Sequence, residues 1–253
     1  MRDPLPTASA SSTDIVEHAG LKDAPAVANV FLSSFNSDFF QTLFPQNEYG
    51  RAYMTKAIEQ FILSKQNGSQ EGQVFVVRNE RGIPVAASVI WIIRPEDDGT
   101  WSWRKRWPAA NAGQRDDLLD EFYTGMATQH HRIMGKEPHI CTLTPALKLS
   151  RLPPAARRFR LPSRLYPTNS LANANPVVFL DFELIMTDPA YRRRGYALSL
   201  LQKASEIADQ KGYPMYLDAE EYIVQLYSLA GYVVKMDLCQ TSAMVPMVRP
   251  AKS

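Results

Sequence analysis

The stretch FLDFELIMTDPAYRRRGYALSLLQ, residues 179–202, restricts the fold more than any other part of this sequence. Apolar and polar residues alternate from Phe179 to Met186, which predicts a β-strand. Pro189 marks a turn, and helical spacing then extends from Ala197 to Lys211, where Gly212 ends the pattern. A strand that runs through a short loop into a long helix needs a sheet with helices packed on it. The sequence therefore predicts an α+β protein.

The loop of this stretch is strongly basic and carries two small residues. Arg192, Gly195 and Ala197 have the spacing R-x-x-G-x-A, and Arg193 and Arg194 add further charge. The first N–H groups of a helix have no partner within the helix, and the helix dipole favours an anion at that end. Glycine and alanine would let a phosphate approach the backbone closely. The loop is therefore predicted to bind a phosphate group.

Helical and strand patterns alternate along the rest of the chain, which supports the same fold class. No internal repeat is visible. Helices are predicted for Asp23–Phe35, Gly50–Leu63, Arg115–Met134 and Val224–Leu229, and strands for Ile15–Ala19, Gln73–Arg78, Ile83–Ile93, Met215–Asp218, Tyr232–Asp237 and Ser242–Val248.

A second motif follows the phosphate loop by about 30 residues. The run LYSLAGY contains Tyr-x-x-x-Gly-Tyr, formed by Tyr227, Gly231 and Tyr232. With R-x-x-G-x-A before it, this order resembles the two signatures of the GNAT superfamily, the Gcn5-related N-acetyltransferases. The likeness covers roughly residues 14–247 apart from a basic segment, and is strongest to fungal members of the family.

The resemblance implies a GNAT acyl-CoA N-acyltransferase fold, in which helices flank a central mixed, mostly antiparallel sheet. It implies acetyl-CoA as co-substrate, a direct transfer to a primary amine, and no metal. The residues implied to hold acetyl-CoA are Met186 and Thr187 for the pantetheine arm, and Arg192, Arg193, Arg194, Gly195, Tyr196 and Ala197 for the pyrophosphate. Tyr227 would lie near the thioester sulfur. Thr187 is a departure, because an aliphatic residue is usual there.

The chemistry of the reaction agrees with these assignments. Expulsion of a thiolate is helped by a proton donor, and a tyrosine with a reference pKa of about 10 is protonated at pH 7. Tyr227 is therefore the predicted general acid. An acceptor resembling lysine, with a pKa of about 10.4, must first lose a proton to a base. Asp181 and Glu183 alternate with apolar residues along the strand and are the base candidates.

A second hypothesis is a catalytically inactive GNAT-like module that binds nucleic acid or an acidic partner. All four tryptophans lie between Trp91 and Trp107, three of them in WSWRKRW, where aromatic rings alternate with basic residues. Such a run could stack on a base, or its indoles could simply pack on the hairpin, which we favour. His130 and His131 are interpreted as surface residues of the helix Arg115–Met134.

One segment differs from its surroundings in composition. Residues 138–180 contain six Lys or Arg, seven prolines and no acidic residue, so the remaining chain has 22 basic and 26 acidic residues. In similar fungal members the Lys-Glu-Pro-His run, here Lys136–His139, leads almost directly into the acidic strand. We predict a flexible tail at 1–13 and one N-acetyltransferase domain at 14–253, with an irregular insertion at about 140–178. A retained intron in the gene model is the alternative source of that segment.

Composition excludes several other classes of protein. The formal charge of +2 is too small for general nucleic-acid binding, and no run of 18 apolar residues exists to cross a membrane. Two cysteines cannot form a disulfide framework or a four-cysteine zinc site. We therefore expect a cytoplasmic or nuclear protein that acts on a small-molecule amine or a protein lysine, with neither a membrane nor nucleic acid as its partner.

Overall fold

The computed structural model of the chain describes residues 15–64, 71–93, 103–134, 179–235 and 244–252. Seven strands form one sheet: β1 (Val16–His18), β2 (Glu71–Arg78), β3 (Pro84–Ile93), β4 (Phe179–Thr187), β5 (Met215–Glu220), β6 (Val233–Val234) and β7 (Met244–Arg249). Six α-helices accompany them: α1 (Ala24–Ser34), α2 (Asp38–Leu43), α3 (Glu48–Ser64), α4 (Asp116–Met134), α5 (Tyr196–Lys211) and α6 (Val224–Leu229). The predicted elements are present, and α2 is an addition.

The sheet has the strand order β1-β2-β3-β4-β5-β7-β6. β4 and β5 pair in parallel, whereas the other neighbouring strands pair antiparallel. The connection from β4 to β5 runs through α5, as a parallel pair requires a crossover. This mixed, mostly antiparallel sheet flanked by helices confirms the predicted α+β class.

Alternation along the strands separates the core into two layers. In β2, Val74 and Val76 pack with α1 and α3 on one face, while Phe75 and Val77 pack with α5 on the other. Both layers are formed by side chains that are almost completely buried. A chain that covers its sheet on both faces leaves functional sites at strand ends and between helices.

The tryptophan-rich run contributes to the first layer. Trp103 and Trp107 are 4% and 3% exposed, and both rings lie 4.9 Å from the ring of Tyr123 on α4. The Trp103 indole also donates a hydrogen bond to Asp120 at 3.0 Å. The packing interpretation of this run is therefore confirmed for both residues, whereas Trp101 lies outside the described residues.

Helix α2 was not predicted because its six residues are too few to show a helical period. Ser37 begins it, and its hydroxyl accepts a hydrogen bond from the Phe40 amide at 3.4 Å. The tail at 1–13 and the segment at 140–178 lie outside the described residues, so the predicted domain boundaries stay a prediction. None of the helices in the described ranges is both long and apolar enough to cross a membrane.

Candidate active site

The two central strands diverge after a short parallel ladder. Only Leu180 with Met215 and Asp181 with Tyr216 pair between β4 and β5 in the described residues. Beyond them β4 continues along β3 to Thr187, while β5 continues along β7 to Glu220. A gap therefore opens in the middle of the sheet, as predicted for the strand from Leu184 to Thr187.

The predicted phosphate loop lies at the end of β4. Asp188 accepts a hydrogen bond from the Ala190 amide at 2.9 Å, which shapes the turn over Pro189. Arg193 and Gly195 then adopt left-handed backbone conformations, with φ of 62° and 82°. A non-glycine residue in that region costs of order 1 kcal/mol or more, and such strain concentrates at functional sites. The loop turns sharply enough to start α5 at Tyr196.

The first amides of α5 face open space. The Ser199 amide makes the first bond of the helix, to the Gly195 carbonyl at 3.0 Å, and no side chain caps the helix start. The preceding N–H groups, those of Tyr196, Ala197 and Leu198, consequently lack an intrahelical acceptor. A Cβ added at Gly195 would meet nothing within 4 Å. Donors, a helix dipole and free space are the features that an anion needs here.

The three arginines of the loop have different surroundings, although all are exposed. Arg192 donates to the carbonyls of Thr187 and Ser34, each at 3.3 Å, and so joins the loop to the end of α1. Arg194 lies over the ring of Tyr191 at 5.0 Å. Arg193 borders the gap between the strands. Arg192 therefore also helps to hold the loop in place.

A cavity of about 500 Å³ extends from this loop into the gap. Seven of its lining residues are predicted acetyl-CoA ligands: Met186, Thr187, Arg192, Arg193, Gly195, Tyr196 and Ala197. The predicted acid Tyr227 lines the same cavity, and Arg194 is not among its lining residues. The structure thus brings residues from two distant motifs to one cleft. Their individual roles stay predictions.

Tyr227 lies on α6 and is 2% exposed. Its ring packs edge to face with that of Tyr232, at 5.8 Å between the centroids. The second tyrosine is deeper in the core, where its hydroxyl contacts the Met215 sulfur at 3.5 Å. Burial, with a smaller contribution from Tyr227, raises the pKa of Tyr232 well above its ordinary value. Of the two tyrosines in the second motif, only Tyr227 lines the cleft.

The base candidates lie on β4 at the end of its ladder with β5. Asp181 is paired with Trp91 on β3, but the register shifts between Val89 and Ile90, so Glu183 is skipped by the ladder. Such a β-bulge interrupts the alternation from which a common face was predicted for the two carboxylates. Their roles as bases stay predictions.

Sequence reasoning missed the wall that α1 and α2 contribute. Ser34, Phe35 and Phe40 line the cleft opposite α5. The Ser34 hydroxyl donates to the Thr187 carbonyl at 3.0 Å, so this wall is bonded to the end of β4. Such a contact joins residues far apart in the chain and has no local sequence signal.

The interpretation of His130 as a surface residue was wrong. Its side chain is 2% exposed, and its ring stacks on that of Tyr216 with 5.0 Å between centroids and 18° between planes. Tyr216 in turn donates to Asp218 at 2.8 Å, and both are completely buried. The signal was present, because Leu119, Tyr123, Met126 and His130 follow helical spacing on α4.

Residues 169–232 match the model of the acetyltransferase (GNAT) family. The match covers β4, the phosphate loop, α5, β5 and α6, which are the elements that form the cleft. This match confirms the resemblance to the GNAT superfamily that the two motifs indicated. No curated protein sequence gives a significant match.

Solved structures show the same fold at low sequence identity. Arylalkylamine N-acetyltransferase 2 from Aedes aegypti is 14% identical, with 93% of this chain and 97% of that chain covered and a TM-score of 0.53. A mosquito arylalkylamine N-acetyltransferase-like protein is 11% identical, with coverages of 92% and 98% and a TM-score of 0.51. An apo agmatine N-acetyltransferase variant is 13% identical, with coverages of 92% and 96% and a TM-score of 0.50. The predicted GNAT fold is confirmed.

Proposed function

We propose that this GNAT-like chain is an N-acetyltransferase that moves an acetyl group from acetyl-CoA to a primary amine. One observation carries the proposal. The diverging strands, the uncapped start of α5 and Tyr227 meet in a single cleft of about 500 Å³. An extended thioester with a phosphate at one end and a reactive carbonyl at the other suits a cleft of this form.

The described residues fit acetyl-CoA along the whole cleft. Its pyrophosphate would accept hydrogen bonds from the amides of Tyr196, Ala197 and Leu198, with Arg193 at the rim. Its pantetheine amides would pair with backbone groups of β4 near Met186, where β5 no longer occupies that edge. Bound in this way, acetyl-CoA supplies an activated acyl group as a thioester.

Tyr227 is the proposed general acid. Its position in the cleft, deep between α6 and the sheet, suits a group that protonates the departing thiolate. General acids contribute typically about 10²–10⁴-fold in rate. Asp181 and Glu183 remain the proposed acceptors of the amine proton on β4.

An amine acceptor is favoured because the matching family consists of acetyltransferases and two of the compared structures are named for amine substrates, arylalkylamines and agmatine. Both small-molecule amines and protein lysines are compatible with the proposal. The inactive binding module loses part of its basis, because Trp103 and Trp107 are buried and Arg104 is paired with Asp116 at 2.9 Å. We therefore favour the enzyme over the binding module.

The test is binding followed by turnover. Acetyl-CoA should raise the melting temperature of the protein, because a ligand that binds only the folded state stabilises it. A thiol assay should then show CoA release with at least one member of a panel containing 2-phenylethylamine, agmatine, spermidine and a lysine peptide. A protein that neither binds acetyl-CoA nor releases CoA would contradict the proposal.

A further inference from the structure

We propose that Tyr216 and Asp218, with His130 stacked on them, take the proton from the acceptor amine. The inference rests on the proposed function and adds residues that neither motif contains. The three side chains form a polar cluster within the core, at exposures of 0%, 0% and 2%. Buried polar groups are costly unless they are paired, and titratable ones concentrate at functional sites.

The cluster lies where the sheet opens. Tyr216 belongs to the last parallel pair of β4 and β5, opposite Asp181, and Asp218 is two residues further along β5. The strands diverge from this point, so Asp218 is level with the start of the gap. The cluster thus lies at the deep end of the cleft, whereas the phosphate loop lies at the outer end of β4.

The cluster also faces the side of the sheet on which α1, α3 and α4 pack. Asp181 pairs with both Trp91 and Tyr216, and paired residues share a face. Trp91 packs with Phe61 of α3, and His130 reaches Tyr216 from α4. An acceptor entering from this side would meet the thioester from the face opposite α5.

The hydrogen bond fixes the direction of proton movement. The Tyr216 hydroxyl donates to the Asp218 carboxylate at 2.8 Å, so its oxygen keeps lone pairs for a donor from outside. The other titratable groups at this point are Asp181 and Glu183 on β4 and His130 on α4, while Pro246, the partner of Asp218 on β7, carries no charge. The parallel stack of His130 holds the phenol ring in place.

The reaction then balances in protons and electrons. An acceptor ammonium gives a proton to the Tyr216 oxygen as the phenol proton passes to Asp218, which leaves a neutral amine. The amine nitrogen bonds to the thioester carbon, the carbonyl π electrons move to oxygen, and the C–S bond then breaks. The thiolate takes the proton of Tyr227, and the phenolate takes the surplus proton on nitrogen. Asp218 finally returns its proton to solvent, giving the amide, CoA and one proton.

The test compares two acceptors in the same enzyme preparation. The proton acceptor matters for a strongly basic amine such as 2-phenylethylamine, which is an ammonium at pH 7. It matters much less for a weakly basic amine such as 2,2,2-trifluoroethylamine, which is already neutral. The ratio of kcat/KM for the two amines is independent of the amount of folded enzyme, so partial unfolding of a variant does not obscure it.

We expect Tyr216→Phe and Asp218→Asn to lower this ratio about 10²-fold at pH 7, the lower end of general-base effects. The loss with 2-phenylethylamine should shrink as the pH rises toward 10. Tyr232→Phe is the matched control, since it removes another buried phenol hydroxyl from the same core and should leave the ratio unchanged.

Two failures are distinguishable. If the wild type binds acetyl-CoA and acetylates both amines, but Tyr216→Phe and Asp218→Asn keep the wild-type ratio across pH 6–10, this inference is overturned and the proposed function stands. If the wild type neither binds acetyl-CoA nor releases CoA, the proposed function itself fails and takes this inference with it.

Discussion

Replacement of Gly195 by glutamate should abolish acetyl-CoA binding while the protein stays folded. Gly195 has φ of 82°, and a Cβ built there meets nothing within 4 Å, so the substitution causes no clash within the protein. The backbone cost alone is of order 1–2 kcal/mol. The new side chain, however, would extend from the start of α5 into the space that the proposed pyrophosphate occupies.

The size of the effect follows from the donors that would be lost. Hydrogen bonds to a charged group contribute about 1.5–3 kcal/mol each, so losing two of them costs about 3–6 kcal/mol. This corresponds to a loss of about 10²–10⁴-fold in affinity, and repulsion between carboxylate and phosphate adds to it. Gly195→Ala, which lacks the charge, should fall between the wild type and Gly195→Glu.

Gly82→Glu is the matched control. Gly82 lies in the turn between β2 and β3, has φ of 74° and likewise has nothing within 4 Å of an added Cβ. It therefore carries the same backbone cost without the ligand. Calorimetric titration with CoA and thermal melts should show similar destabilisation of both variants but weakened binding only for Gly195→Glu. A folded Gly195→Glu protein with wild-type CoA affinity would refute the phosphate-loop assignment.

Two further predictions concern the acid and the stability of the fold. Tyr227→Phe should lower kcat at least toward 10²-fold with little change in CoA affinity, and Tyr232→Phe serves as control; unchanged single-turnover rates across pH 6–9 would exclude Tyr227 as the acid. Asp23 is 5% exposed and bonded to both Arg78 guanidinium nitrogens at 2.8 and 2.9 Å, so its pKa is lowered, chiefly by that bond. This contribution is present above about pH 4 and is lost as the pH falls through the lowered pKa. Asp23→Asn should therefore cost about 3 kcal/mol of unfolding free energy at pH 7 and progressively less toward pH 2, as measured by urea denaturation; a difference independent of pH would contradict this.

The local signals in the sequence predicted the core of the site, and the distant contacts were not predictable. The phosphate loop and the helix after it are encoded within a dozen residues, because a turn, a glycine and a helical period are local features. The wall containing Ser34 and Phe40 depends on side chains that meet β4 only after the sheet has formed.

His130 shows a different kind of failure. Its polarity favoured the surface, yet its spacing from Tyr123 and Met126 placed it on the buried stripe of α4. Periodicity and polarity gave opposite answers, and the position on the stripe determined the outcome. The bulge opposite Val89 and Ile90 is a similar case, since simple alternation along β4 cannot reveal a skipped residue.

The hydrogen bond from Ser34 to Thr187 also has a consequence for the order of folding. It joins residues 153 positions apart, and the cleft has one wall from each side of this separation. Closing so long a loop costs entropy before any contact across it is gained, and topologies with such distant contacts fold slowly. On the ribosome, the wall from α1 and α2 emerges long before its counterpart. Binding competence therefore arises only after the C-terminal half of the chain has been synthesised and has docked, and a ligand in the cleft would stabilise that final association.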